Sequence, residues 1–144
     1  MEASRILITP TPDLILISPM TRTIMTAIKA FGPLITSVNS KVDVWIWPEL
    51  REGYDHAICN KGIAKADLMA KFPFPNWDFE ECHEQWDYMP HSFDGAVSRA
   101  ETVRARLKSL VDTGKYENIL LVTHRGFIAF LVQDERFGTC GMHL

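Results

Sequence analysis

Leu14-Ile15-Leu16-Ile17-Ser18-Pro19 is the stretch on which the fold turns. Its four consecutive apolar residues leave no polar face. A strand with that pattern is buried on both sides, as in a parallel sheet covered by helices. Ser18-Pro19 then breaks the run. The reading is a helix start, with Ser18 as cap and Pro19 in the tolerated first position. Ile24, Ala27, Ile28 and Phe31 fall on one face of the helix that follows, and Gly32-Pro33 ends it. A strand feeding a helix in this way is half of a parallel crossover unit. The same unit recurs near the other end of the chain. Ile119 to Thr123 is a compact apolar strand, His124-Arg125-Gly126 a turn, and Phe127 to Gln133 the start of a helix.

Between these units, Val42 to Trp47 reads as a strand, rich in β-branched and aromatic residues and stopped by Pro48. A loop is expected from Glu49 to Gly62, and short helices over Ala64 to Phe72 and Phe79 to Tyr88. Trp77, Phe79 and Trp86 are expected to pack or to cover a pocket, since no basic groove accompanies them. The strongest helical period runs from Asp94 to Val111. Val97, Ala100, Val103, Leu107, Leu110 and Val111 form its apolar stripe, and Arg99, Glu101, Arg104, Arg106 and Lys108 surround it. Gly114 stops it. A further short β run, Arg5 to Thr9, precedes Pro10-Thr11-Pro12, and the chain closes in a Gly-rich irregular tail. Strands alternating with helices predict an α/β fold: a three-layer α/β/α sandwich with a reduced, mostly parallel sheet.

The chain has 144 residues, 47% apolar and 23% charged, with a net charge of −3. That length suits one domain, residues 1–144, able to bury roughly 68–70% of the surface its unfolded form exposes. No apolar run approaches the ~20 residues that span a bilayer, so no membrane partner is expected. Met1-Glu2 is no signal-peptide start, and the odd set Cys59, Cys82 and Cys140 has no CxxC pair; a cytoplasmic protein with reduced thiols is expected. A mildly acidic chain gives no electrostatic case for nucleic acid. Cys82-His83 lacks a second pair at ligand spacing, so neither a metal nor another cofactor is expected.

Two strand ends carry similar chemistry. Leu14–Ile17 delivers Ser18, Thr21 and Arg22 to a strand–helix junction; Ile119–Thr123 delivers Thr123, His124 and Arg125 to another. Ligands of open parallel sheets bind beyond the carboxyl ends of the strands, where helix N-termini favour anions. Glu49 and Glu52, beyond the Val42–Trp47 strand, face the same crevice. Alone, Arg22 reads as a solvated helix residue, Glu52 as a solvated loop residue and His124 as a histidine satisfied by backbone. Their joint placement makes an acid–base set beside an anion site.

Ser18-Pro-Met-Thr-Arg-Thr-Ile-Met-Thr-Ala27 resembles the SPLxRxxQTA segment of the histidine phosphatase superfamily, the phosphoglycerate-mutase-like fold. Pro48-Glu-Leu-Arg-Glu52 resembles the stretch with the family's acidic residue, which falls on Glu52. Leu121-Val-Thr-His-Arg-Gly-Phe127 is similar to LVxTHGGF, and Gly138-Thr-Cys-Gly-Met142 to the GTGW-like segment of fungal-type members. The departures are as informative. The family nucleophile is the histidine of an RHG motif on its first strand; here 17 residues precede Ser18 and none is histidine. Arg125 replaces a glycine, Asn60-Lys61 stands where fungal-type members have Asp-Thr, and the chain stops before the family's last strands.

The resemblance therefore implies a phosphoglycerate-mutase-like protein without phosphohistidine chemistry. It would bind a small anionic metabolite or phosphate and convert it by acid–base catalysis. His124 and Glu52 would carry protons, and Arg22, Arg125, Ser18 and Thr123 would hold the anion. The alternatives are a histidine-type phosphatase or phosphomutase whose nucleophile lies elsewhere or is missing from a truncated chain, and a non-catalytic binding or dimerisation module. In the family sheet the missing first strand would cover Ile119–Thr123, so its loss exposes an apolar edge and a homodimer is expected. If the resemblance holds, Arg22, Glu52 and His124 meet in one cleft; coordinates placing Arg22 and His124 on opposite sheet faces would contradict it.

Overall fold

Strand β1, Leu14–Ile17, is wholly buried and pairs in parallel on both sides. The computed structural model describes residues 9–54, 62–87 and 91–132. Among these, β1 is followed by α1 (Thr21–Phe31), α2 (Pro33–Thr36), β2 (Asp43–Ile46), a 3₁₀ turn (Pro48–Leu50), α3 (Lys65–Lys71), β3 (Trp77–Asp78), α4 (Phe93–Asp112), β4 (Ile119–Val122) and α5 (Arg125–Val132). The sheet order is β3-β2-β1-β4, all parallel. Ile17 is in register with Ile46 on one side and Val122 on the other. The ladders continue one step further, through Ser18 N–H to Val122 O (3.0 Å) and Trp47 N–H to Ile17 O (2.9 Å). Three strands thus end side by side.

Strand alternation divides the core in two. Ile15, Ile17, Val44 and Ile46 face α1, α2 and α3; Leu14 and Leu16 face α4 and α5, together with Trp47, Leu50 and Phe127. Helices on both faces of a parallel sheet make the expected three-layer α/β/α sandwich. Among the described residues, no helix is long and apolar enough to cross a membrane. Cys82 lies in the first cluster, where burial pushes its thiol pKa up to about 12 and leaves it inert.

Several local expectations change. Ser18 is not the cap of α1. It still pairs with β4 through its N–H, and the helix begins at Thr21 with Met20 in the cap position. No helix forms over the described part of Phe79–Tyr88. The Asp78 carboxylate accepts from Glu80 N–H (2.7 Å), as a cap would, but Cys82 N–H closes a tight turn on Phe79 O and no further helical turn follows. Trp77, Phe79 and Trp86 are nevertheless buried packing residues, and Trp77 opens the unforeseen strand β3. On α4 the apolar arc is rotated from the expected stripe: Val111 is 55% exposed while Arg99 is buried. Residues 5–8 of the expected first β run, His56, Cys59, Asn60-Lys61, Tyr88 and the Gly138–Met142 tail with Cys140 and His143 lie outside the described residues.

These burials set a contrast in stability. Leu16→Ala removes a wholly buried side chain between two pairing strands and is expected to cost about 2–5 kcal/mol, whereas Val111→Ala should stay within about 0.5 kcal/mol. Urea unfolding of both variants checks this; equal costs would mean that the core is not centred on β1.

Candidate functional site

The aligned ends of β1 and β4 place Ser18 and His124 side by side, and the first turn of α1 adds Arg22. His124 immediately precedes α5, and its carbonyl accepts the Ile128 N–H (2.9 Å), so the helix fixes its backbone. Its ring is held at both nitrogens. Nε2 is 2.8 Å from Ser18 Oγ, and Arg22 Nη2 donates to Nδ1 at 3.1 Å. A guanidinium has only donors, so Nδ1 carries the lone pair and Nε2–H donates to Ser18. Ser18 Oγ also accepts from Met20 N–H (3.4 Å), and Thr23 Oγ1 lies within hydrogen-bond distance of the Ser18 and Met20 carbonyls, which ties the β1–α1 corner to its helix.

Burial, then the positive charges of Arg22 and Arg99, lower the His124 pKa from 6.5 to about 3. The imidazole is neutral at pH 7, in agreement with the hydrogen-bond pattern. Glu52 Oε2 stands 4.0 Å from both Arg22 Nη2 and His124 Nδ1. The side chains of His124, Glu52 and Arg22 are 3%, 23% and 42% exposed, so the histidine forms the floor and the arginine the rim. Glu52 is held by Gly53 N–H donating to Oε1 (2.8 Å) and by the absence of a side chain at Gly126, where a Cβ would fall 2.5 Å from that same oxygen.

Ser18, Arg22, Glu52 and His124 are therefore brought together. Thr123 stands apart in role: its hydroxyl donates to Leu50 O (2.6 Å) and so fastens the 3₁₀ turn to β4. Arg125 is the exposed first residue of α5. Glu49 faces away from the histidine, toward Arg106, whose guanidinium also lies 3.9 Å over the Trp47 ring and pairs with Glu81. A separate hollow of about 430 Å³ lies between Glu49, Arg51 and the start of α4; none of Arg22, Glu52 and His124 lines it.

One residue of consequence was unforeseen. Arg99 donates to the carbonyls of Glu49 (2.9 Å), Arg51 (3.0 Å), Glu52 (2.8 Å) and Gly53 (2.5 Å), and its guanidinium stacks 4.5 Å from the Phe127 ring centre. A signal existed in the sequence: Ala96 and Val103 sit three before and four after it, so Arg99 lies inside the buried arc of α4.

Chemically, the cleft joins a rim cation, a neutral imidazole with its acceptor nitrogen facing that cation, a carboxylate within reach of both, and the N-terminal ends of α1 and α5. Neither helix carries an acidic residue in its first turn. Such ends favour anions. The family model for the histidine phosphatase superfamily (branch 1) matches residues 3–135. No curated protein and no solved structure matches the chain.

The buried neutral histidine gives a pH dependence. Between pH 6.5 and about 3 the unfolded chain binds a proton at His124 that the folded chain does not, so this contribution is complete above pH 6.5 and declines as pH falls. Between about pH 7 and 5 the wild type should lose stability more steeply than His124→Gln. Urea midpoints at both pH values test it; parallel losses would contradict a neutral His124.

Proposed function

Because the chain belongs to the histidine phosphatase superfamily, we propose that it binds a small anionic metabolite, or phosphate itself, in the cleft of Arg22, Glu52 and His124, and acts there by acid–base rather than phosphohistidine chemistry. The observation that carries this reading is the 3.1 Å contact from the Arg22 guanidinium to His124 Nδ1, with Glu52 4.0 Å from each. The chain contains no RHG sequence to supply the family nucleophile.

An oxyanion arriving at the rim takes the Arg22 guanidinium as its first partner, through charge-assisted hydrogen bonds. Its negative charge then offsets the burial and the cations that keep His124 neutral. Arg22 Nη2 turns from Nδ1 to the anion, Nδ1 takes a proton from the acid form of the oxyanion or from water and donates it back in a hydrogen bond, while Nε2–H stays bonded to Ser18 Oγ. Glu52 is the second proton carrier, close enough to exchange a proton with the bound group directly or through one water. His124 is thus an acid in the liganded cleft and an acceptor in the empty one.

The same sheet supports a homodimer. Among the described residues β4 is the last strand of the order β3-β2-β1-β4, and Ile119, Leu120, Leu121 and Val122 are all half-buried. An apolar edge strand without Lys or Pro favours pairing with a second copy. Light scattering is expected to give a dimer; a mass near 16.4 kDa at micromolar concentration would contradict it.

Thermal melting tests the cleft. Phosphate at a hundredfold excess over Kd is expected to add about 2.7 kcal/mol to wild-type stability, and nothing to Arg22→Ala. A chromogenic phosphate ester should turn over negligibly. Turnover on the order of 1–10³ per second would overturn the assignment of acid–base chemistry.

A further inference from the structure

We infer that Arg99 is the positioning residue for Glu52, holding its carboxylate between Arg22 and His124 and thereby setting which protonation state of an oxyanion the cleft accepts. The inference rests on the anion-binding reading above.

After the 3₁₀ turn, residues 51–53 form no regular element, so the backbone bearing Glu52 has no ladder to fix it. Beside the Thr123 bond to Leu50 O, one guanidinium gathers its carbonyls. Arg99 faces four carbonyls of residues 49–53 at once, including that of Glu52 itself. The planar fork, with five N–H donors, suits such a cluster, whereas a lysine offers three donors from a single point. Arg99 is itself immobilised. It projects from the 20-residue helix α4, is buried, and stacks on Phe127 of α5. Phe127 adjoins Gly126, whose bare Cα bounds the Glu52 carboxylate on its other side. One side chain therefore ties the loop bearing the carboxylate to the helix start beside the histidine.

The groups around that carboxylate are Arg22 from α1, His124 from the β4–α5 junction, the Gly53 N–H and the Gly126 backbone; Glu49 and Arg51 of the same segment engage Arg106 and Pro48 O. A carboxylate beside a bound oxyanion repels its fully ionised form and accepts a hydrogen bond from a protonated one. Both effects depend on distance, so the residue that fixes the distance adjusts the pH preference that proton uptake at His124 begins.

Calorimetric titration with inorganic phosphate tests this in wild type, Arg99→Lys, Glu52→Gln and the double variant. Wild type is expected to bind about fivefold more tightly at pH 6 than at pH 8, and Arg99→Lys, which keeps the charge but loses the fork, to reduce that ratio to about twofold. Glu52→Gln should flatten it similarly, and adding Arg99→Lys to Glu52→Gln should change the ratio no further. Gly126→Ala, which displaces the carboxylate from its other side, should reproduce the flattening and decides the matter if Arg99→Lys does not fold. An unchanged ratio in Arg99→Lys, or in Gly126→Ala where Arg99→Lys is unfolded, would overturn the positioning role. So would an equal effect of Arg99→Lys with and without the Glu52 carboxylate. Absence of phosphate binding in both wild type and Arg22→Ala would instead overturn the cleft itself, and this role with it.

Discussion

The burial of β1 between two parallel partners is the constraint from which the rest follows. Four apolar residues with no exposure require a layer of helices on each face and a strand on each side. The in-register pairing of Ile17 with Ile46 and Val122 then brings three strand ends to one line. Everything chemical in the cleft hangs from that line: Ser18 from β1, the Glu52 loop from β2, His124 from β4, and Arg22 from the helix that β1 feeds.

Electrostatics at the cleft are set by contrast between floor and rim. The imidazole is desolvated and faces cations, so it stays neutral, with its one ring proton on Nε2. Arg22 keeps contact with water, and Glu52 is intermediate. On the proposed reading, an anion would add a second negative charge near Nδ1, beside that of Glu52. Ligand binding and proton uptake at His124 would then be linked, and the histidine would act as an acid only with an anion bound.

The sequence made the layers legible because apolar runs and strand–helix junctions are local signals. β1, the limits of α3, the stop of α4 at Gly114 and the approach of Arg22 to His124 all follow from such signals. What it did not reveal depends on long-range competition. Ser18 has the right chemistry for a helix cap, but the strand ladder holds its backbone and His124 takes its hydroxyl. Phe79–Tyr88 is expected to be a helix, yet Cys82 N–H closes a tight turn on Phe79 O and the indole of Trp86 anchors to Ile63 O. Arg99 reads as a surface charge by type; its four carbonyl partners, in a segment some fifty residues away, and the Phe127 ring make its burial tolerable. Of Glu49 and Glu52, spacing alone could not say which faces the histidine. Arg106 draws one away and Gly126 makes room for the other.

A bound anion is proposed to raise the proton affinity of His124 Nδ1 until the ring takes up a second proton. Nitrogen NMR of the His124 ring, recorded at about pH 6 without and with saturating phosphate, tests it most directly. A neutral ring with hydrogen on Nε2 is expected without phosphate, converting to the doubly protonated imidazolium when phosphate binds. A ring that stays neutral at saturation, or that is already charged without phosphate, would contradict it.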